Sequence, residues 1–258
     1  MPKLSILVPT YNRSKLLAEC LDGILSTQVD CEVLVRDDAS TDDTAEVMAG
    51  YVARDPRVTY VRNAVNQGGN NQFNLLTADA SGEYLTVMPD DDLPMPSNYD
   101  KKVAILDAHP EVGFVYSFRG LRHLDTGQIM YPRRVEQLLY SYIGGRNEFQ
   151  DLMPGNYIPG NTVVWRKSLT DRWGGLDSAM GKSLSDWDLW LRFTYRTQTA
   201  YLNEPLVLAG YHTNRLSSNS VETTLAMLLV WRKWLIDGDE LIVLDARMWQ
   251  RMREMFLM

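Results

Sequence analysis

Cysteine and histidine are scarce: the chain has two Cys and three His in 258 residues. Neither Cys20 nor Cys31 has a His or a second Cys at metal-ligand spacing, which excludes a cysteine-built metal centre or a disulfide framework and leaves two buried, reduced thiols as the expectation. Long apolar runs are missing as well. The best candidate, LAMLLVWRKWLI at 225–236, is interrupted by Arg232 and Lys233, so no membrane span is expected. The opening MPKLSILVPTYNR lacks the charged leader and small-residue cleavage site of a signal peptide, which points to a cytoplasmic protein. There is no basic excess. Net charge is -7 with Lys and Arg scattered, so nucleic acid is not an expected partner. Repeats and low-complexity tracts are also absent.

What is present is an ordinary globular composition, 45% hydrophobic and 23% charged, in a chain long enough to bury a substantial core as one domain. Apolar β-rich runs alternate with amphipathic segments, the pattern of βα units around a mostly parallel sheet. Strands are expected at 4–10, 31–37, 58–63 and 83–89. A helix over 15–25 carries Leu16, Leu17, Cys20, Leu21 and Ile24 on one stripe, and another over 44–53 carries Ala45, Met48 and Val52. Ser40 or Thr41 is the expected N-cap of the second, with Asp42 and Asp43 compensating its dipole. Beyond residue 110 a strand is expected at 112–118, a Gly/Pro-punctuated loop at 153–167 leading into a strand at 162–165, a helix at 186–196, two short strands within 200–212, and a helical C-terminal segment over 216–258.

Ligands of open parallel sheets bind outside the carboxyl ends of the strands. Three polar groups stand there: Pro9-Thr10-Tyr11-Asn12-Arg13, Asp37-Asp38 and Asp90-Asp91-Asp92. The triple Asp directly ends an apolar strand. Adjacent shielded carboxylates repel, and a hard divalent cation removes that cost; Mg2+ or Mn2+ takes one or two of them and completes its shell with water and phosphate oxygens, which makes a nucleoside diphosphate the natural co-ligand. A solvated, helix-capping turn is the structural alternative. Asp38, as an ionised carboxylate, can accept hydrogen bonds from a base or ribose. Tyr11 can offer a ring for stacking or serve as a half-buried aromatic.

VPTYNR, VRDDASTDDT, NQGGNNQFN, GEYLTVMPDDDLPMP and SDWDLWLR occur in an order and spacing that resembles family-two inverting glycosyltransferases of the GT-A fold, over about residues 3 to 215. The resemblance implies a Rossmann-like α/β domain over 1–215, with 216–258 packed on it or at an interface. It implies transfer of a sugar from a nucleotide donor, usually a UDP-sugar, to an acceptor hydroxyl on a glycan or lipid-linked carrier, in bacterial-type surface glycan synthesis. Pro9, Thr10, Tyr11, Arg13, Asp38, Asn66, Gly68 and Asp90 would hold the nucleotide, and Asp91 with Asp92 the Mn2+ or Mg2+. The first acid of the family's Asp-x-Asp falls on Pro89, which leaves Asp91 as the principal ligand.

The family's catalytic base falls on Asp186, with Ser185 in place of the usual Glu; two first-turn acids, Asp186 and Asp188, favoured by a helix dipole, are the structural alternative. Phe73 replaces an Arg that often stands in the third motif. His212, Asn161 and Trp187 are the candidate acceptor or phosphate contacts, with Trp165 as a further candidate for the acceptor side; the family's own His position is Asn214 here. Both Trp residues are equally adequate as core anchors. A nucleotidyltransferase and an inactive nucleotide-sugar-binding module are the competing functions. The first is disfavoured because VPTYNRSKLL lacks the Gly-rich basic loop of those enzymes. LLVWRKWLI could lie on a membrane surface at the inner face of the membrane, or pack on the sheet or in a homodimer.

Overall fold

The computed structural model describes residues 1–132, 140–181, 184–212 and 220–237, with 249, 250, 252 and 253. Most of the C-terminal segment after 237, and Asn214, therefore lie outside the described residues. The first half is built from β1 (Leu4–Thr10), α1 (Ser14–Leu25), β2 (Cys31–Asp37), α2 (Thr44–Arg54), β3 (Val58–Arg62), α3 (Gly69–Asp79) and β4 (Tyr84–Val87). β5 (Leu93–Pro94), α4 (Asn98–Ala108), β6 (Val112–His123), β7 (Ile129–Met130), β8 (Tyr142–Arg146) and α5 (Phe149–Leu152) follow. The remainder comprises β9 (Val164–Arg166), α6 (Lys167–Trp173), α7 (Ser185–Thr194), β10 (Gln198–Tyr211) and α8 (Ser220–Leu235).

Ten strands form one sheet in the order β3-β2-β1-β4-β9-β6-β10-β5, with β7 on β6 and β8 on β10. Pairings among β3, β2, β1 and β4 are parallel, as is β6 with β10, while β9 runs antiparallel between β4 and β6. The sheet is mixed: its long pairings are parallel, as expected, while the short pairings of β5, β7, β8 and β9 are antiparallel. Period-2 alternation sends side chains to opposite faces, and the core divides accordingly. Ile6, Val8, Val33 and Val35 pack with α1, α2 and α4 on one side. Leu7, Leu34, Leu85 and Phe114 pack with α3 and α7 on the other.

Several local expectations change. β4 ends at Val87, two residues early, because Pro89 has no N–H for a ladder and the chain turns there. The stretch expected as two short strands is one, β10, whose register slips around Pro205. Val52 is 44% exposed, and Tyr51 is buried in its place with its hydroxyl donating to the Ala18 carbonyl and Asp22. Neither Ser40 nor Thr41 caps α2. Asp42 accepts from Thr44 N at 3.2 Å and from Ser14 N at 3.2 Å, serving the starts of both α2 and α1. Cys20 and Cys31 are buried and free, as expected. No helix among the described residues is long and apolar enough to cross a membrane.

Candidate active site

The loops after β1, β2 and β4 meet at one edge of the sheet, and their polar side chains hold one another. Asn12 (φ 52°) and Ala39 (φ 65°) adopt left-handed backbone, which the short polar Asn tolerates well. The Asn12 N–H donates to Ser40 Oγ at 2.8 Å while its own Oδ1 accepts from Thr41 N at 2.7 Å. Asp37 accepts from Ser40 N at 2.8 Å and Tyr60 Oη at 2.7 Å, which closes the turn after β2. Asp38 accepts from Asn63 Nδ2 at 2.8 Å, Gln67 N at 2.7 Å and Gly68 N at 2.8 Å. An ionised carboxylate offers about four lone-pair sites, so Asp38 organises the approach to α3 with roughly one left for a ligand. Asn66 Nδ2 donates to the Asp38 carbonyl at 3.3 Å, and Gly68 enters α3 at φ 80°. Tyr11 is 46% exposed, an open ring beside these loops.

The three consecutive Asp residues divide: Asp90 and Asp91 share Arg13, and Asp92 turns the other way. Asp90 is buried, accepting from Thr10 Oγ1 at 2.7 Å and Arg13 Nη1 at 3.0 Å. Burial pushes its carboxyl up, opposed by Arg13 and Thr10. Asp91 accepts from the same Arg13 nitrogen at 2.9 Å. Asp92 accepts from Asn161 Nδ2 at 2.6 Å and Gly210 N at 2.9 Å, so both its oxygens tie the loop to β10 and to the segment before β9. A Cβ at residue 210 would strike the Asp91 carbonyl, so only glycine lets the chains come this close. Burial, reinforced by the charge of Asp91, pushes Asp92 up to about 7.

Asp91, Asp92, Asn161 and Asp186 line one cleft of about 290 Å³. The sequence motifs, widely separated along the chain, thus converge. Asp186 sits in the first turn of α7, close to the Trp187 N–H, which donates to the Leu184 carbonyl at 3.1 Å, and to the Asn156 side chain. Burial pushes its carboxyl up to about 6, while those two donors and the Arg119 guanidinium pull it down. Phe73, Val87, Leu176, Leu189 and Trp190 form an apolar wall beside the acids.

Asn156 and Arg119 were not singled out from sequence. Asn156 lies in the punctuated loop and Arg119 one residue beyond the predicted strand end, and that position was the available signal.

Other expectations are corrected. Trp187 does not face the cleft: it is fully buried, its Nε1 donating to the Leu152 carbonyl at 2.9 Å, because its place on α7 turns it into the core. Trp165 is likewise a core side chain, stacked on Phe73 at 5.8 Å. His212 is outside the cleft lining, with Nδ1 3.8 Å from Asp125 at the surface. Asp188, two residues beyond Asp186, faces away and is fully buried. It accepts from Arg192 Nε at 3.0 Å, Lys233 Nζ at 2.9 Å and Trp234 Nε1 at 3.0 Å, and so docks α8 on α7.

Among the described residues no three His, Cys, Asp or Glu side chains gather as a preformed metal cage. The chemistry still fits Mn2+ or Mg2+ in the mode that takes one carboxylate from the protein and the rest from diphosphate and water. Asp91 in the cleft would be the residue to hold it, since Asp90 and Asp92 spend their oxygens elsewhere.

The α/β sheet, with an acidic strand-end loop and a helix-borne carboxylate on one cleft, has the fold of solved GT-A glycosyltransferase structures. Staphylococcus aureus TarS 1-349 in complex with UDP-GlcNAc superposes with TM-score 0.76 at 18% identity, covering 98% of this chain and 71% of that one. A mannosyltransferase from Pyrobaculum calidifontis, in complex with GDP-Man and Mn2+, gives TM-score 0.68 at 21% identity over 92% of this chain and 65% of that one. The family model for glycosyl transferase family 2 matches residues 5–173, and the chain belongs to that family. An uncharacterized glycosyltransferase of Haemophilus influenzae is 30% identical over 232 residues, 86% of this chain and 72% of the relative. Curated relatives are longer, and the chain spans 66% of a second one.

Proposed function

We propose that the protein is a metal-dependent inverting glycosyltransferase that moves a sugar from a nucleoside-diphosphate donor, a UDP-sugar in our reading, to an acceptor hydroxyl in surface glycan synthesis. The observation that carries it is the cleft in which Asp186, at the start of α7, shares a wall with Asp91 from the end of β4. Asp186 takes the proton of the acceptor hydroxyl as its oxygen attacks the anomeric carbon. The new C–O bond forms on the face opposite the diphosphate as the old C–O bond breaks, and configuration inverts. Asp91 would hold the Mn2+ or Mg2+, which would supply Lewis acidity toward the diphosphate leaving group. Thr10 and Arg13 hold Asp90 and Asp91 at that edge, and Asn161 with Gly210 fixes the loop beneath. Tyr11, Asp38, Asn66 and Gly68 form the nucleoside end. The acceptor is a free or lipid-linked glycan entering over the apolar wall of Phe73 and Trp190. The exposed Leu225, Leu228 and Leu229 of α8 are the surface for peripheral membrane contact or for a second copy.

Asp186→Asn is expected to keep UDP and UDP-sugar binding in the presence of Mn2+, measured by calorimetry, while transfer falls by about 10²–10⁴-fold. Undiminished turnover would remove Asp186 from the mechanism. The substitution of Pro89 for the first metal-binding acid favours one second reading, a nucleotide-sugar-binding module. Metal-dependent UDP binding by the wild type, without transfer or donor hydrolysis, would select it.

A further inference from the structure

Glu148, just before α5, is fully buried, and its partners are hydroxyls. Oε1 accepts from Tyr116 Oη at 2.9 Å and Tyr157 Oη at 3.0 Å, and Oε2 accepts from Thr199 Oγ1 at 2.7 Å. The Tyr142 hydroxyl lies 2.9 Å from that of Tyr116 and extends the chain of donors. These groups come from β6, β8, β10 and the loop after α5, four separate parts of the chain. Removing a carboxylate from water costs several kcal/mol, and an apolar side chain of similar size is often no worse for stability. Hydroxyl donors offset that cost and fix direction as well.

The direction matters because Tyr157 follows Asn156. Asn156 Oδ1 accepts from Ile158 N at 3.0 Å, which settles its amide orientation and leaves the NH2 group to donate. The same loop reaches Asp186 at Gly160, where a Cβ would lie 3.5 Å from Asp186 Oδ2, and the Asn156 amide stands near enough to pull that carboxyl down. The start of the same loop is pinned by two indoles, Trp187 Nε1 to the Leu152 carbonyl and Trp231 Nε1 to the Met153 carbonyl, each at 2.9 Å. Between those pins and the cleft, Glu148 with Tyr157 forms the further anchor.

We propose that Glu148 is a positioning residue for Asp186: through the Tyr157 hydroxyl it fixes the loop that aims the Asn156 amide at the Asp186 carboxylate. The role assigned to Asp186 rests on the transferase reading, but the coupling from Glu148 to Asn156 does not. Besides Asn156, the groups facing Asp186 are Arg119 from β6 and Asp91 and Asp92 from the loop after β4, while Asp188 on its own helix points to Lys233.

The test uses the full chain without ligand or metal and follows the Asn156 side-chain amide by NMR over roughly pH 4 to 8, the range in which a shifted carboxyl titrates. In the wild type this resonance is expected to move with the titration of Asp186, and in Asp186→Asn to lose that movement. Tyr157→Phe keeps the ring and removes the hydroxyl; it should cut the excursion by about half or more and speed exchange of the amide protons with water roughly tenfold. Glu148→Gln is expected to act in the same direction and carries the test if the first variant does not fold. A wild-type excursion and exchange rate in either folded variant would overturn the proposal. Retained turnover in Asp186→Asn would overturn only the transferase role of Asp186, since the resonance reports the coupling without substrate.

Discussion

Arg13 holds Asp90 and Asp91 with one nitrogen, whereas Asp92 next door looks inward to Asn161 and Gly210. In Arg13→Gln the first two carboxylates lose their shared cation. Because the Arg13 side chain is 43% exposed, solvent screens the pairs and the cost is about 1 kcal/mol or less. Melting in EDTA should fall by roughly 2–4 °C per kcal/mol for a domain of this size, and Mn2+ should recover more of it in the variant than in the wild type. An equal loss with and without Mn2+ would argue that Arg13 and the ion do not share Asp91. Asp186 gives a second residue-level expectation. A base must be ionised, so with its carboxyl raised to about 6 turnover should rise with pH through that value and level above it, read from kcat/KM on the acid side. That Asp186 and Asp91 belong to one site was legible from their motifs. The sequence did not reveal that Asp92 is structural, because its partner Gly210 lies 118 residues away.

At the scale of elements, β1 to β4 were legible because alternation of apolar residues sets their faces, and α1 because its stripe repeats at helical spacing. β9 was misplaced by two residues, and its antiparallel direction was invisible: three residues carry no sign of which way a strand runs. The docking of α8 was hidden for a related reason, since Asp188 reads as a first-turn acid until Lys233 and Trp234 are brought to it. Asp188→Ala should take the buried acceptor from Arg192 and Trp234 while Lys233 keeps Asp177, so the loss stays below the roughly 3–5 kcal/mol of a fully broken buried pair. Urea denaturation is the measure of that loss. Limited proteolysis should cut within α8 in the variant before it cuts the wild type, and unchanged resistance would mean that packing of Trp231 on Trp187 suffices to hold the helix.

For the whole molecule, the two strongly raised carboxyls give stability a pH slope of definite sign. Asp92 and Asp186 protonate at about 7 and about 6 in the folded chain, well above the ordinary 3.8. Between those limits the folded state binds more protons than the unfolded one, so their contribution falls as pH rises through about 6 to 7. Metal-free protein should therefore lose on the order of 4 kcal/mol from these groups between pH 5 and pH 8. Denaturant titrations in EDTA at fixed ionic strength measure it. Asp92→Asn should flatten the slope, and an unchanged slope would assign it to other groups. The overall architecture was readable from the alternation of elements, whereas the burial that creates this slope depends on how distant loops close over the acids.

The helix that carries Asp186 on one side carries Asp188 on the other, only two residues on. One ten-residue helix therefore bears both the proposed base and the latch for α8. A pull or twist on α8, whether from further chain, a neighbouring molecule or a lipid surface against its exposed leucines, would act as torque on α7 and swing Asp186 within the cleft.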